Sequence, residues 1–283
     1  MTKTNDKMKE AAEQIIALMQ EHGADWCKPW SGIGGIHNAK SKKAYRGSNI
    51  FWLAMASHIK GYESNEWATF KQWQELGASV KKGEKSTAIF FFSVLEKENK
   101  ETGEQNKFGF WRSYSVFNAS QVEGYEATKP QEFDAIASAE KYALNTGADI
   151  RHGESGAFYS PIRDYIGMPA REAFTSASGY YSTLLHELTH WTGHKSRCDR
   201  DLSGNFGDAD YAREELIAEC GSALLCMNLG VEKQATPDHA KYLNNWIKAI
   251  GDDYKVIFAA MSKAQKAIDY MDSLQQAQAI AAE

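Results

Sequence analysis

The string His186-Glu187-Leu188-Thr189-His190 holds two imidazoles four residues apart and a carboxylate beside the first. On an α-helix, positions i and i+4 lie on one face, one turn apart. His186 and His190 can therefore bind one tetrahedral Zn²⁺ and leave positions for a third protein ligand and a water. Glu187 is then placed to act as a general base on that water. The alternative is two ordinary helical histidines beside a surface glutamate.

The residues around this string predict the helix that such a site requires. Ser176 or Ser178 can cap its start, and Gly193 stands where a glycine commonly follows the end of a helix. Between these positions, four large apolar residues near helical spacing would bury one side of the helix: Leu184, Leu185, Leu188 and Trp191.

A second segment offers the third ligand. Residues 209–229 have the pattern of a helix that Asp208 or Asp210 caps. Glu215 and Glu219 lie four residues apart, on one face of this predicted helix. We expect Glu215 to bind the metal and Glu219 to accept a hydrogen bond from the outer N–H of a ligand histidine.

Other assignments remain open at this stage. The glutamates of residues 209–229 can form a solvated helix face. His194 is a rival third ligand, although a helix that ends at Gly193 would point it elsewhere. Peptide hydrolysis also needs a group that stabilises the oxyanion. The candidates for that role are Tyr181, His194 and Tyr211.

The string HELTH, followed downstream by Glu-x-x-x-Glu, resembles the thermolysin-like zinc peptidases of the gluzincin class. In that class the third ligand is a glutamate on a following helix, and an acid four residues later supports a ligand histidine. Glu215 and Glu219 occupy these two positions, although the second acid of the class is usually aspartate. The resemblance implies a zinc metallopeptidase site in the second half of the chain.

The composition is that of a soluble globular protein with one large or two modest domains. Of 283 residues, 43% are apolar and 24% are charged. No apolar run approaches the length of a membrane span, and the first residues do not have the pattern of a signal peptide. The four cysteines show neither paired metal spacing nor a disulfide framework, and we expect Cys220 and Cys226 to be buried. We therefore expect a cytoplasmic protein with no membrane partner.

The net charge of −5 conceals a basic first half. Residues 26–92 contain ten Lys or Arg and four Asp or Glu, and six of the eight tryptophans lie in the first 111 residues. Cations can neutralise phosphates and an aromatic ring can stack on unpaired bases, so this half is a candidate surface for single-stranded DNA. The residues that we expect to contact DNA are Lys42, Lys43, Tyr45, Arg46, Lys81, Lys82 and Lys85. The alternative is a solvated lysine-rich face over a core that contains the tryptophans.

Hydrophobic periodicity indicates the elements that position these groups. Helices are predicted at residues 6–22, 48–60, with Ser48 as the cap, and 69–76. Segments 86–95 and 107–118 would pair as a hairpin, and residues 126–131 have the pattern of a linker. Short strands are predicted within residues 148–168. Of these, residues 157–160 and 163–167 can offer a sheet edge to an extended peptide. A helical pair is predicted from 239 to 282, with an interruption near 251.

Longer segments resemble the ArdC-type antirestriction proteins. N-A-K-S-K-K-A-Y-R-G-S-N and W-A-T-F-K-Q-W-Q-E-L-G-A-S-V-K-K-G-E are similar to the amino-terminal domain of that family. Y-S-P-I-R-D-Y-I-G-M-P, Y-Y-S-T-L-L-H-E-L-T-H-W-T-G-H and R-E-E-L-I-A-E are similar to its carboxy-terminal domain. The resemblance runs over nearly the whole chain and is more specific than the metal string alone.

The resemblance implies an α+β protein of two domains. Residues 1–127 would form a mixed α/β domain that binds single-stranded DNA. Residues 128–283 would form a zincin-like metallopeptidase domain, with a small sheet, the HExxH helix and a helical C-terminal part. The implied role is that of a mobile-element protein, carried by a conjugative plasmid, that protects incoming DNA from host restriction. The implied cofactor is Zn²⁺, with Mn²⁺ as the alternative, and the implied partners are single-stranded DNA and a protein or peptide substrate.

Two non-enzymatic functions compete with this prediction. The chain can be a protein that coats single strands and carries a structural or vestigial metal domain. It can also be an accessory module related to plasmid primases, because the same amino-terminal module is found beside primase domains. The presence of Glu187 favours the enzyme, since a purely structural metal site needs no general base.

Overall fold

The computed structural model describes residues 3–26, 35–98, 105–128, 134–204, 208–234 and 239–281. Within these ranges the backbone forms eight α-helices and nine β-strands. The chain divides into two compact units, the first containing Met1–Glu13 and Ile36–Thr128, the second containing Gln14–Gly35 and Lys129–Glu283. The residues of helix α1 (Lys3–His22) are shared between the two units.

The first unit combines two helices with two sheets. Its helices are α2 (Ser48–Lys60) and α3 (Phe70–Glu75). Its strands are β1 (His37–Asn38), β2 (Glu66–Ala68), β3 (Ser79–Val80), β4 (Thr87–Glu98), β5 (Gln105–Asn118) and β6 (Val122–Glu123). The larger sheet has the order β1-β2-β5-β4, and β3 pairs with β6.

Strands β4 and β5 form the predicted antiparallel hairpin. The register runs from Thr87 opposite Val116 to Glu98 opposite Gln105. Its turn, residues 99–104, lies outside the described residues, as do residues 129–131 of the predicted linker. Strand β4 lies at the edge of the sheet, where the Asn49 side chain donates to the Phe90 carbonyl at 2.9 Å and accepts from its N–H at 2.7 Å. This exchange satisfies one unpaired position of the edge strand.

The local signals of the helices agree with their observed ends, with one exception. Thr69 and Gln72 form a reciprocal capping box at the start of α3. Gly61 ends α2 with a φ of 65°, a left-handed conformation that favours glycine. The prediction that Ser48 caps α2 is wrong, because Gly47 occupies the capping position and Ser48 is the first helical residue.

The second unit contains five helices and one three-stranded sheet. Its helices are α4 (Ala135–Asn145), α5 (Ala177–Trp191), α6 (Ala209–Leu229), α7 (His239–Asp252) and α8 (Lys255–Ala281). Its strands are β7 (Asp149–His152), β8 (Phe158–Ser160) and β9 (Tyr165–Met168), in the order β7-β9-β8. Strand β8 is therefore an edge. The predicted edge at residues 163–167 is wrong, because residues 165–167 belong to β9 in the centre of the sheet.

Helices α5 and α6 approach each other closely. A Cβ on Gly221 of α6 would lie 2.5 Å from Cγ2 of Thr189 on α5, so only glycine fits at this crossing. Cys220 and Cys226 of α6 are buried free thiols, as predicted, whereas Cys27 lies outside the described residues. None of the described helices is long and apolar enough to cross a membrane.

Candidate metal centre and DNA surface

Helix α5 aims two imidazoles at one point. Ser176 caps the helix by accepting the Gly179 N–H at 3.0 Å, one of the two predicted caps. One turn separates His186 from His190, and their Nε2 atoms lie 3.1 Å apart. Both side chains are nearly buried, so the two nitrogens face a shared interior position rather than bulk solvent.

Helix α6 brings the predicted third ligand to the same point. Asp208 caps it by accepting the Tyr211 N–H at 2.7 Å. Glu215 then lies with Oε2 3.5 Å from His186 Nε2 and Oε1 3.4 Å from His190 Nε2. A tetrahedral zinc site with bonds of about 2.0–2.1 Å separates its ligand atoms by about 3.3–3.4 Å. The three donor groups are therefore spaced as one divalent cation requires.

The outer nitrogen of each imidazole faces a carboxylate of α6. The predicted partner, Glu219, has Oε2 3.7 Å from His186 Nδ1. Glu214 has Oε1 3.2 Å from His190 Nδ1, a contact that the sequence analysis missed. Pairs of this kind fix the orientation of a metal-binding imidazole.

Two buried cations accompany these carboxylates. Arg200 Nε lies 3.0 Å from Glu214 Oε2, and Lys233 Nζ lies 3.1 Å from Glu219 Oε2. Glu187 and Glu215 add two further buried carboxylates near the imidazoles. These four carboxylates and two cations leave two negative charges, which one divalent cation would balance.

The protonation tendencies of the ligands reflect this surplus of negative charge. Burial lowers the pKa of His190, but the carboxylates of Glu214 and Glu215 outweigh it and raise that pKa to about 10. Burial likewise opposes ionisation of Glu215, but the two imidazoles hold the pKa of its carboxyl well below its usual range. Burial raises the pKa of Glu187, which the positive imidazoles only partly offset. A carboxyl whose pKa is raised by burial is suited to exchange protons near neutral pH.

A cavity of about 560 Å³ opens on the imidazoles and on Glu187. Strand β8 lines it through Phe158 and Tyr159, and the backbone N–H of Tyr159 donates a hydrogen bond to Glu187. Of the two predicted sheet edges, residues 157–160 therefore lie where a peptide would reach the imidazoles. An extended peptide bound to a strand edge is held by main-chain hydrogen bonds with little demand on its sequence.

Arg197 ties the edge strand to the end of helix α5. Its Nη2 donates to the Tyr159 hydroxyl at 3.0 Å and its Nη1 to Asp164 Oδ2 at 3.0 Å. The same guanidinium lies over the Trp191 ring, with Cζ 4.1 Å from the centroid. This clamp was not predicted, because its members are distant in sequence and match no motif.

The three oxyanion candidates have different surroundings. Tyr211 lines the cavity, and burial together with Glu215 raises the pKa of its hydroxyl, which keeps it a hydrogen-bond donor. Tyr181 instead donates to Glu140. His194 pairs through Nδ1 with Ser196 Oγ at 2.8 Å. Of the three, Tyr211 is the one that lines the cavity with the imidazoles, and its hydroxyl donates a hydrogen bond to Glu215.

Most of the residues of the first unit that were predicted to contact DNA are exposed. Lys42 reaches the buried carboxylate of Glu66 at 2.8 Å, so part of its charge is already neutralised within the protein. Lys81 donates to the Ser120 carbonyl at 3.0 Å and remains exposed. The other exposed cations of the predicted set are Lys43, Arg46, Lys82 and Lys85.

The prediction that Tyr45 stacks on a base is wrong. Its side chain is buried, with 8% of the residue exposed. The hydroxyl accepts a hydrogen bond from Asn38 at 3.2 Å and donates to the Trp67 carbonyl at 3.4 Å. The ring is therefore part of the core, and any stacking on DNA must come from other aromatic residues.

Comparisons with known proteins agree with this two-part architecture. The family described as the N-terminal domain of anti-restriction factor ArdC matches residues 5–117, and the family described as a zincin-like metallopeptidase matches residues 137–263. Crystal structures of antirestriction ArdC protein from the R388 plasmid, metal-free and Mn(II)-bound, have TM-scores of 0.80 and 0.77. Both are 40% identical in sequence and cover 94% of this chain and 97% of theirs.

Two relatives known by sequence differ greatly in length. The uncharacterized protein y4eC of Sinorhizobium fredii is 40% identical over 95% of this chain and 92% of its own length. DNA primase TraC of Escherichia coli is 38% identical over 95% of this chain, but the chain spans only 27% of that protein. The similarity to the primase therefore covers one part of a larger protein.

Proposed function

The chain belongs to the ArdC-type antirestriction proteins, and from this premise we propose that it protects incoming mobile-element DNA from host restriction. In this proposal, residues 1–127 bind single-stranded DNA. Residues 128–283 hydrolyse a peptide bond in a protein substrate at a zinc centre, with Mn²⁺ as the alternative ion. The spacing of His186, His190 and Glu215, 3.1–3.5 Å between donor atoms, is the observation that carries the enzymatic part.

The donor set suits the proposed cofactor. Two imidazoles and one carboxylate are a common ligand set for catalytic zinc, whereas Mn²⁺ favours more oxygen ligands. The Mn(II)-bound relative keeps manganese as the alternative. When bound, the ion would polarise the scissile carbonyl and lower the pKa of the attacking water.

The protein groups have separate roles in the proposed hydrolysis. Glu187 takes the proton of the attacking water and passes it to the leaving amine, as its raised pKa favours. Tyr211 exchanges its hydrogen bond to Glu215 for one to the developing oxyanion. Strand β8 aligns the peptide by main-chain hydrogen bonds. Glu214 and Glu219 hold the imidazoles in their ligating orientation.

Substitution of Glu187 by Gln tests the proposal. This change keeps the size of the side chain and removes the base, so we expect about one metal per chain and unchanged DNA binding. Hydrolysis of a quenched-fluorescent peptide library should fall by about 10²–10⁴-fold. The matched variant His186→Ala/His190→Ala should lose the metal as well, as measured by elemental analysis.

Plasmid transfer into restriction-proficient and restriction-deficient recipients connects the site to protection. If protection by Glu187→Gln equals that of the unchanged protein, the enzymatic proposal fails and a protein that coats single strands becomes the better explanation. The similarity to one part of a DNA primase favours the related alternative of an accessory module. That alternative predicts no protection by the chain alone.

A further inference from the structure

Both faces of the β4–β5 hairpin carry aromatic side chains, and on one face the rings stand beside an arginine. Phe91 on β4 lies opposite Arg112 on β5. Because side chains alternate between the two faces of a strand, Phe110 and Tyr114 lie on the same face as Arg112. We call these four residues the aromatic face.

The aromatic face is open to solvent. Phe91 is 44% exposed and Tyr114 is 45% exposed, although the two rings pack edge to face with centroids 5.5 Å apart. Arg112 is exposed and lies over the Phe110 ring, with Cζ 5.0 Å from its centroid. Large rings left exposed beside one another are unfavourable in water and mark a surface that binds something.

The charges around this face indicate the chemistry of its ligand. Arg112 is the only charged residue in segments 86–94 and 108–118 of the sequence. The segment that leads into β4 carries the exposed cations Lys81, Lys82 and Lys85, and its one anion, Glu84, accepts a hydrogen bond from Gln121. A ligand that fits must therefore have flat apolar groups together with negative charge. Unpaired nucleotides have both, because each couples a base to a phosphate.

We propose that the aromatic face stacks unpaired bases of single-stranded DNA. Phe91 and Tyr114 are the stacking platforms, and Arg112 contacts a phosphate. The inference rests on the proposed DNA binding of the first unit, and it supplies the rings that the buried Tyr45 cannot. Aromatic residues on a sheet surface receive two or three bases in other nucleic-acid-binding modules.

A second copy of this chain fits the face less well. In a two-fold symmetric contact the same patch meets itself, so Arg112 would lie close to its own copy. This arrangement would place two like charges in an apolar contact without a compensating anion. Single-stranded DNA supplies that anion.

The test compares affinities for fluorescein-labelled oligo-dT. Phe91→Leu/Tyr114→Leu keeps apolar side chains on the strands but removes the aromatic rings. Each lost stacking contact should weaken binding by about 5- to 150-fold, with little change in the slope of log Kd against log salt. Arg112→Gln should instead reduce that slope by the amount that one phosphate contact contributes.

Phe70→Leu is the matched control. Phe70 is 50% exposed on α3 and pairs with Phe117, whose side chain points to the other face of the sheet from Tyr114. This variant should bind oligo-dT as the unchanged protein does. Circular dichroism and metal content should show that all three variants are folded.

A cross-linking experiment on the unchanged protein needs no variant. Oligo-dT containing 5-iododeoxyuridine should, on irradiation, attach to Phe91 or Tyr114, as located by mass spectrometry. Cross-links confined to other residues, or an unchanged Kd for the double variant, would overturn the stacking proposal while leaving DNA binding intact. An unchanged Kd with an altered oligomeric state would assign the face to self-association. Failure of the unchanged protein to bind oligo-dT would instead reject the proposed DNA function.

Discussion

At the residue scale, the imidazoles of the metal centre are held between carboxylates, and protons compete with the metal for them. Glu214 and Glu215 raise the pKa of His190 to about 10, above the ordinary value near 6.5. A group whose pKa is higher in the folded than in the unfolded state stabilises the fold below the unfolded pKa. That stabilisation disappears as the pH rises through the folded pKa. The raised pKa of Glu187 changes the stability in the same direction, because its stabilising effect is also lost as the pH rises.

We therefore expect metal-free protein to lose stability as the pH rises from about 6.5 to about 10. Urea unfolding of chelator-treated protein across this range should give a decreasing midpoint. The stabilisation by added Zn²⁺ should show the opposite trend and grow between pH 6 and pH 8, because ligand imidazoles must be deprotonated. His190→Gln should flatten both trends. A midpoint independent of pH in the metal-free protein would contradict the buried charge arrangement.

The ligand residues could be predicted from the sequence, but their surroundings could not. Helical spacing alone places His186 and His190 together, and Glu215 matches the ligand position of a known class. Glu214 was missed because the rotation of α6 against α5 decides which carboxylates face an imidazole, and no local pattern encodes that rotation. Arg200 and Lys233 reach the site from loops outside both motif helices.

At the scale of elements, the crossing of α5 and α6 sets the position of the glutamates relative to the imidazoles. Gly221 lies at this crossing, where an added Cβ would meet Thr189 Cγ2 at 2.5 Å and Oγ1 at 2.6 Å. Thr189 is itself fixed, because its hydroxyl donates to the Leu185 carbonyl at 2.9 Å. A methyl group here must push the two helices apart.

Gly221→Ala should therefore destabilise the protein by about 1–3 kcal/mol and weaken metal affinity. Denaturant unfolding and a competitive chelator titration measure the two effects. Adding Thr189→Ala removes both clashing atoms and should restore most of the metal affinity. Gly251→Ala is the control, because a Cβ there meets nothing within 4 Å in helix α7 and should stabilise by about 0.5–1 kcal/mol. Full metal affinity in Gly221→Ala would contradict this account.

Most long periodic elements were predicted, whereas one helix and the shortest strands of the first unit were missed. The β4–β5 hairpin and the helices with clear caps or glycine ends lie close to their predicted positions. Helix α4 was missed, and so were strands β1, β2, β3 and β6. Strands of two or three residues show no alternation, and their pairing depends on partners far along the chain. The exposure of the aromatic side chains on β4 was not predicted either, because exposed and buried aromatic strands have the same composition.

At the scale of the whole molecule, the proposed DNA surface and metal centre lie in separate compact units. Each can therefore be disabled while the other is monitored. Lys81, Lys82 and Lys85 lie on an exposed basic segment of the first unit, and the metal ligands lie on two helices of the second. Protection that needs both properties must fail when either one is removed.

The variant Lys81→Gln/Lys82→Gln/Lys85→Gln tests this coupling. For single-stranded DNA each lost phosphate contact lowers the salt slope by about 0.7, so three should lower it by about 2. Metal content and peptide hydrolysis should stay unchanged, whereas Glu187→Gln should keep metal and DNA binding and lose hydrolysis. If protection during plasmid transfer requires a DNA-bound peptidase, both variants should lose it, and mixing them in one recipient should not restore it. Restoration by the mixture would show that binding and hydrolysis act in separate molecules, because each variant would then supply what the other lacks.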